Sequence, residues 1–389
     1  MKLITSRRKK WEAAFALSLL IAVSIFCFTA NALTDEEYNQ LVDEQLTEFG
    51  ADEVEQMPDD QTKALLDQMG LGEINPTEFM ELQPGSIADI ILALTKKSYP
   101  APLAAGFAVC AVLLIGQMMN GLRLENRPGF EKAYQYFAVV AAASAILIPL
   151  VSQLTKSFRQ IEEASVFMTG FVPVFTAAVS ASGQPISATV SAATLLAAAE
   201  IVVWLVRTAV LPVCGIFAAF GVVSGITDSA DLEKLSGFFK GLVVWLLGAA
   251  VTVLVGLMSL KSYLTTAADS VTIRTLKMLV SGSVPLVGGG LSDAVSSVVS
   301  CFSVIKNTFG FFGVAAVILC FLPEIVTVAL WKLAVGLCSA LASSTDQKGV
   351  AKLLKTLGDM LSIVIATMVL TALVFIVGIT VMMKTYGGI

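Results

Sequence analysis

Several stretches of this chain run for about 20 residues or more without a charge, and each is long enough to cross the ~30 Å hydrocarbon core of a bilayer as a helix. They are Ala101 to Leu122, Ala133 to Thr155, Ala164 to Ala199, Thr208 to Thr227, Gly241 to Leu260 and Met360 to Met383. A backbone in hydrocarbon must satisfy its own N–H and C=O groups, so the stretches predict helices. With 56% apolar and 14% charged residues and a mean hydropathy of +0.82, the 389 residues are not those of soluble domains. The fold class expected is all-α, a polytopic integral membrane helical bundle.

The N-terminus predicts export. Arg7, Arg8, Lys9 and Lys10 precede an apolar run from Trp11 to Phe28, and Ala30-Asn31-Ala32 forms an A-x-A cleavage site, so residues 1–32 read as a cleavable signal peptide. The alternative is an uncleaved first helix. Residues 33–99 then read as a small acidic helical extracytoplasmic region. Between Thr34 and Asp89 lie sixteen Asp or Glu residues and one base, Lys63, which excludes a nucleic-acid surface. Thr34 and Glu37 form a capping box, Tyr38, Leu41, Val42, Leu46 and Phe49 share one face, and Gly50 closes the helix. A second helix is expected from Gln61 to Met69, ending at Gly70. A third, Ser86 to Lys97, is amphipathic through Ile87, Ile90, Ile91 and Leu94.

Residues 100–389 form the transmembrane domain, with about seven spans at roughly 20 residues each. Arg123, Arg127 and Lys132 after the first span place that loop in the cytoplasm, in agreement with an exported N-terminus. Gly183-Gln184-Pro185 reads as an uncharged turn. Two runs are interrupted: Ser187 to Thr227 by Glu200, Arg207 and Pro212, and Asn307 to Thr345 by Pro323, Glu324 and Lys332. Each is either a pair of short helices or one broken helix.

No histidine is present, which removes H-E-x-x-H zinc sites, Ser-His and Cys-His dyads and imidazole proton relays together. Cys27, Cys110, Cys214, Cys301, Cys320 and Cys338 all lie in apolar or amphipathic segments and read as small packing residues. Gly288-Gly289-Gly290 is no phosphate loop, because no Gly-Lys-Ser/Thr follows it. The chain is expected to be no enzyme and to need no cofactor.

Ionisable residues inside apolar helices are costly, so Glu200, Glu324 and Lys332 are the candidates for a gating or transport role, set against a structural one. Lys332 is eight residues from Glu324, more than two turns, so the two can pair only through a break or another helix. The amphipathic segment 262–306 contains the other candidate. Leu291, Ala294, Val295, Val298, Val299, Phe302 and Ile305 form one stripe, and Ser292, Asp293, Ser296, Ser300 and Ser303 the opposite face. A membrane-surface helix carries Lys and Arg there; hydroxyls suit close helix packing or a water-lined path. The spacings Gly221 to Gly225 and Ala193 to Ala197 also permit close helix approach.

Asp269-Ser-Val-Thr-Ile-Arg-Thr-Leu-Lys277, followed by Pro285-Leu-Val-Gly-Gly289, Ser292-Asp293 and Lys306-Asn307, resembles the stage III sporulation protein AE family of endospore-forming Firmicutes. The arrangement of export signal, acidic segment and polytopic body is similar as well. The resemblance implies a membrane component of the channel or secretion-like apparatus between mother cell and forespore, in the mother-cell membrane around the forespore. It implies as partners the other proteins of its operon, among them an ATPase, ring-forming proteins and small membrane components, together with stage II sporulation protein Q. It carries no catalytic residues. The alternatives are a stand-alone secondary transporter with Glu200 and Glu324 as coupling acids on broken helices, and a non-conducting scaffold.

Overall fold

The computed structural model describes residues 44–74, 84–121, 128–227, 230–283 and 288–384. The signal peptide, the capping box at Thr34 and the N-terminal part of the first expected helix lie outside them. Two compact units divide the chain. Of Met1–Glu48, the helical turn at residues 44–48 is described. Phe49–Ile389 is the helical body.

In the body, Gly50 takes a left-handed φ of 84°, where an L side chain would be strained, and so ends the preceding helical turn as the sequence requires. Helix α1 is Ala51–Glu55 and α2 is Asp60–Gln68. The Asp59 side chain accepts the Thr62 N–H to cap α2, and Gly70 closes it at φ 71°. The loop after α2 is tied back by Ile74 N–H donating to Glu55 Oε1 at 2.7 Å. Helix α3, Pro84–Ser98, buries Ile90 and Leu94 and ends on Lys96 and Lys97, which complement its negative C-terminal dipole end.

Helix α4, Pro100–Gly121, follows directly. Helix α5 runs from Pro128 to Ala181, 54 residues, carrying the two charge-free stretches on either side of Lys156 to Glu163 through one continuous backbone. The expected uncharged turn falls at Ser182 to Gln184, and Pro185 opens α6, Pro185–Leu205. The stretch Ala164 to Ala199 is therefore two helices.

Neither interrupted run becomes a pair of separate helices. Helix α6 passes through a π-helical segment, Val206–Val210, into α7, Leu211–Ile226. The π turn sits just before Pro212, which has no N–H for an ordinary i→i−4 bond, and Leu211 N–H bonds Val206 O instead. Helix α8 spans Ala230–Ser283, and α9, Gly288–Ser344, stays helical through Pro323. Asp346, at φ 56°, turns the chain into α10, Lys348–Lys384. Among the described residues six helical stretches are long and apolar enough to cross a membrane: Pro100–Met118, Gln135–Ala181, Pro185–Ile226, Gly237–Lys261, Cys301–Ser344 and Lys348–Lys384.

Helix α10 is the axis of the body. It packs most extensively on α9 and also contacts α5, α6, α7 and α8, burying Leu353, Leu357, Met360, Val364, Met368, Phe375 and Ile379. Lipid tails are as apolar as leucine, so such packing stabilises through van der Waals fit rather than escape from water. Backbone meets backbone where α7 crosses α10. A Cβ on Gly349 would lie 2.4 Å from Gly225 O, and one on Gly225 would lie 2.7 Å from Val139 Cγ1.

Gly349→Ala is expected to lower the melting temperature of the detergent-solubilised protein, through an overpacking cost of about 1–3 kcal/mol. Gly336→Ala, with open space around its Cβ, should leave it unchanged. Equal melting of the two variants would refute this crossing.

Candidate functional site

Among the candidates whose side chains are described, Glu324 is the one for which side-chain bonds to another helix are seen. It lies half-buried on α9, one residue after Pro323, facing α5. Gln153 Nε2 donates to Glu324 Oε1 at 2.5 Å, and Ser157 Oγ donates to the same oxygen at 2.7 Å. Gln153 and Ser157 are four residues apart, so α5 presents both on one face, and both are buried. One turn along, Gln160 Nε2 lies 3.0 Å from Cys320 Sγ, four residues before Glu324 on α9. The two antiparallel helices thus share a polar seam, Gln153, Ser157 and Gln160 against Cys320 and Glu324. Side-chain hydrogen bonds between membrane helices contribute about 0.6–2 kcal/mol each, so the seam helps to fix how α5 and α9 register.

Glu200 and Lys332 are placed otherwise. Lys332 is exposed on α9, and because the helix is unbroken at Pro323 it does not reach Glu324. Glu200 is exposed on α6. Seven residues on, Arg207 in the π segment donates through Nε to Glu162 Oε1 of α5 at 2.8 Å. A pair that exposed contributes little to stability, though it fixes the level at which α5 and α6 meet. Of the serine face, Ser303 is half-buried. Ser292, Asp293, Ser296 and Ser300 lie in the helical backbone of α9, but their side chains are outside the described residues.

Sequence reasoning about sites passed over Asp269. This carboxylate of α8 is buried and accepts Ile186 N–H at 3.2 Å and Ser187 N–H at 2.9 Å, at the start of α6. The N-cap residue of α6, Gln184, makes no side-chain cap bond, so the capping anion comes from a helix more than 80 residues away. The first N–H groups of a helix are orphaned and carry its positive dipole end, which is why a carboxylate settles there. The available signal was the rule that singled out Glu200 and Glu324: Asp269 is an isolated acid in a mainly apolar run.

Asp269 also marks where the α5–α6 end of the body stops. Helix α8 continues to Ser283, about 20 Å further at 1.5 Å per residue, and α9 returns from Gly288. The amphipathic segment 262–306 is thus a helical hairpin anchored at its base by the Asp269 cap. Among the described residues no group of three or more His, Cys, Asp or Glu is arranged to hold a metal. The void lined by Ile201, Leu205, Leu247, Leu254 and Thr371 is about 20 Å³, room for about one water by volume, but its lining is apolar and offers a water few partners.

A profile described as stage III sporulation protein AE matches residues 129–385. The chain is also similar to stage III sporulation protein AE of Bacillus subtilis (strain 168), with 22% identity over 291 residues that cover 75% of this chain and 70% of that protein. No solved structure matches.

Asp269→Ala is expected to cost about 0.5–2 kcal/mol, the usual value of a lost N-cap. Amide hydrogen exchange should accelerate at Ile186 and Ser187, while exchange in the central turns of α10 stays slow. Unchanged protection at these two amides would show that the cap does not hold in the protein.

Proposed function

This chain belongs to the stage III sporulation protein AE family, and from that membership and the geometry of the α8–α9 hairpin we propose that it is a membrane subunit of the channel or secretion-like complex linking mother cell and forespore. A role in sporulation follows from the family, and the six long apolar helices make it a multi-pass membrane protein.

The observation that carries the finer reading is the hairpin. A serine-faced helix held out beyond the α5–α6 turn on a capped base is poorly suited to lipid, because its hydroxyls gain nothing from hydrocarbon. It is well suited to a neighbouring subunit or a wet lumen. The apolar void at Ile201, Leu247 and Thr371 is too small for a solute, and the uninterrupted helices at Glu200 and Glu324 lack the unwound backbone on which a transporter coordinates ions. Energy would come from the ATPase of the same operon. The other partners are the ring-forming and small membrane components and, from the forespore side, stage II sporulation protein Q. The mother-cell membrane around the forespore is the proposed location, with the acidic N-terminal region in the gap between the cells.

Ser296→Leu combined with Ser300→Leu should reduce late forespore gene expression to the level of a deletion strain, with the protein still inserted in membrane at wild-type amount by immunoblot. Normal reporter activity would overturn the proposal. So would proton- or sodium-coupled solute uptake by the purified chain alone in liposomes.

A further inference from the structure

The long helices do not fit one bilayer. From the Gly225–Gly349 crossing, where Val139 also lies, α5 runs to Ala181, about 63 Å at 1.5 Å per residue against a hydrocarbon core of ~30 Å. Tilt does not absorb a twofold excess.

Polar residues divide that length. Counting 1.5 Å per residue from the crossing, Arg159 on α5 lies about 30 Å away, and Arg207, counted from Gly225, about 27 Å away. Glu324 lies about 30 Å from Ser344, the end of α9. Glu162 joins Arg207, and Gln153 and Ser157 join Glu324. Thr327 lies 2.9 Å from Ser98, which brings Lys96, Lys97 and the start of α4 to the same level. Helices α3, α5 and α9 and the π segment between α6 and α7 thus set a charged girdle one hydrocarbon thickness from the crossing.

The exterior differs on the two sides of the girdle. Between crossing and girdle it is large and apolar: Ile148 is 75% exposed, Trp245 67% and Leu337 60%, with Phe107, Val140 and Phe238 beside them in kind. Exposed Tyr136 stands at one edge of this zone and exposed Tyr99 and Trp204 at the other, as in the aromatic belts of membrane proteins. Two of the charges inside it, Lys240 and Asp359, pair with each other, and exposed Lys332 lies about 12 Å below Glu324 with a stem that carries its ammonium toward that edge. Beyond the girdle, α5 and α6 expose Thr169, Pro173, Ala177, Thr189, Ala193, Ala197 and Glu200, and α8 exposes Lys261. Large apolar residues persist there, as at Val166 and Leu260, but between small and polar neighbours. Helix α2 packs on α9, and Met57 covers Gly170 of α5, so the N-terminal helices attach on this same side.

We infer that the bilayer wraps only the half of the body between the Gly225–Gly349 crossing and the Glu324 girdle, with six helices crossing once each, and that the other half stands in water on the side of the N-terminal helices. The lipid-facing surface is the belt of Ile148, Trp245 and Leu337. The α8–α9 hairpin then rises from the wet half. An even number of crossings puts α3 and the end of α10 on one face of the membrane, where seven would separate them. The inference concerns immersion alone and stands whether or not the chain forms a channel.

The test uses the full chain, cysteine-free, expressed in a host that lacks the other sporulation proteins, with single cysteines labelled by a membrane-impermeant maleimide in intact cells or protoplasts and in inverted vesicles. Cysteines at Ala177, Thr189 and Ala197 should react from the same face as cysteines at Asp89 and Lys384. Cysteines at Ile148 and Leu337 should react only after denaturation. Wild-type elution on gel filtration shows that each variant is folded. The inference is overturned if Ala177, Thr189 and Ala197 stay unreactive until detergent is added, or if Asp89 and Lys384 react from opposite faces.

Discussion

The obligation of a backbone in an apolar medium to bond itself governs this molecule. An unsatisfied amide in hydrocarbon costs several kcal/mol, so breaking a helix at membrane depth is far more expensive than bending it. That is why Pro149, within the apolar half, and Pro323, at the girdle, sit inside continuous helices. At Pro212 the response is a local change of pitch, one π turn, in place of an end. Just after Pro323 the Thr327 hydroxyl bonds the Pro323 carbonyl, the i→i−4 back-bond of a helical threonine. Helix continuity in turn gives α5, α8 and α9 their length of more than 50 residues, and the length raises the body beyond one bilayer.

Once hydrophobic escape from water is weakened as a force between helices, close approach and a few polar bonds must hold them together. The two are arranged at different levels. Gly225 and Gly349 bring α7 and α10 into backbone contact at one end, Glu324 bonds α5 at mid-height, and Asp269 caps α6 at the other end. These are different kinds of lock. A glycine crossing is intolerant of added volume, a carboxylate seam of lost hydrogen bonds, and a cap of lost charge. Because they lie far apart, variants in each should combine additively.

What the sequence made legible was whatever depends on neighbours along the chain. Charge-free stretches located the helices, Gly50 and Gly70 closed the short ones, and Gly183-Gln184-Pro185 gave the turn between α5 and α6. The resemblance on residues 269–307 pointed to the family that the matched profile covers. What it hid depends on partners far along the chain. Glu324 stood out as a costly acid, but Gln153 and Ser157, which satisfy it, are ordinary residues in an apolar helix until α9 lies against them. Glu200 stood out by the same rule and is simply exposed. Asp269 went unread as a site because its donors are backbone amides of another helix, and no side-chain pattern announces those.

The Asp269 cap bears on how such a body could pass motion to its hairpin. The N-terminus of α6 and the base of the hairpin share one carboxylate, so a shift of α8 along its axis must either carry the α5–α6 turn with it or break the two amide bonds. Helix α6 runs from the cap to the π segment, where Arg207 meets Glu162 of α5. The π turn sits one residue out of register with the α-helix around it and is fixed there by Pro212, which has no N–H for an ordinary bond. The cap and the Arg207–Glu162 pair are therefore the two levels at which polar bonds tie this run of helix to α8 and to α5.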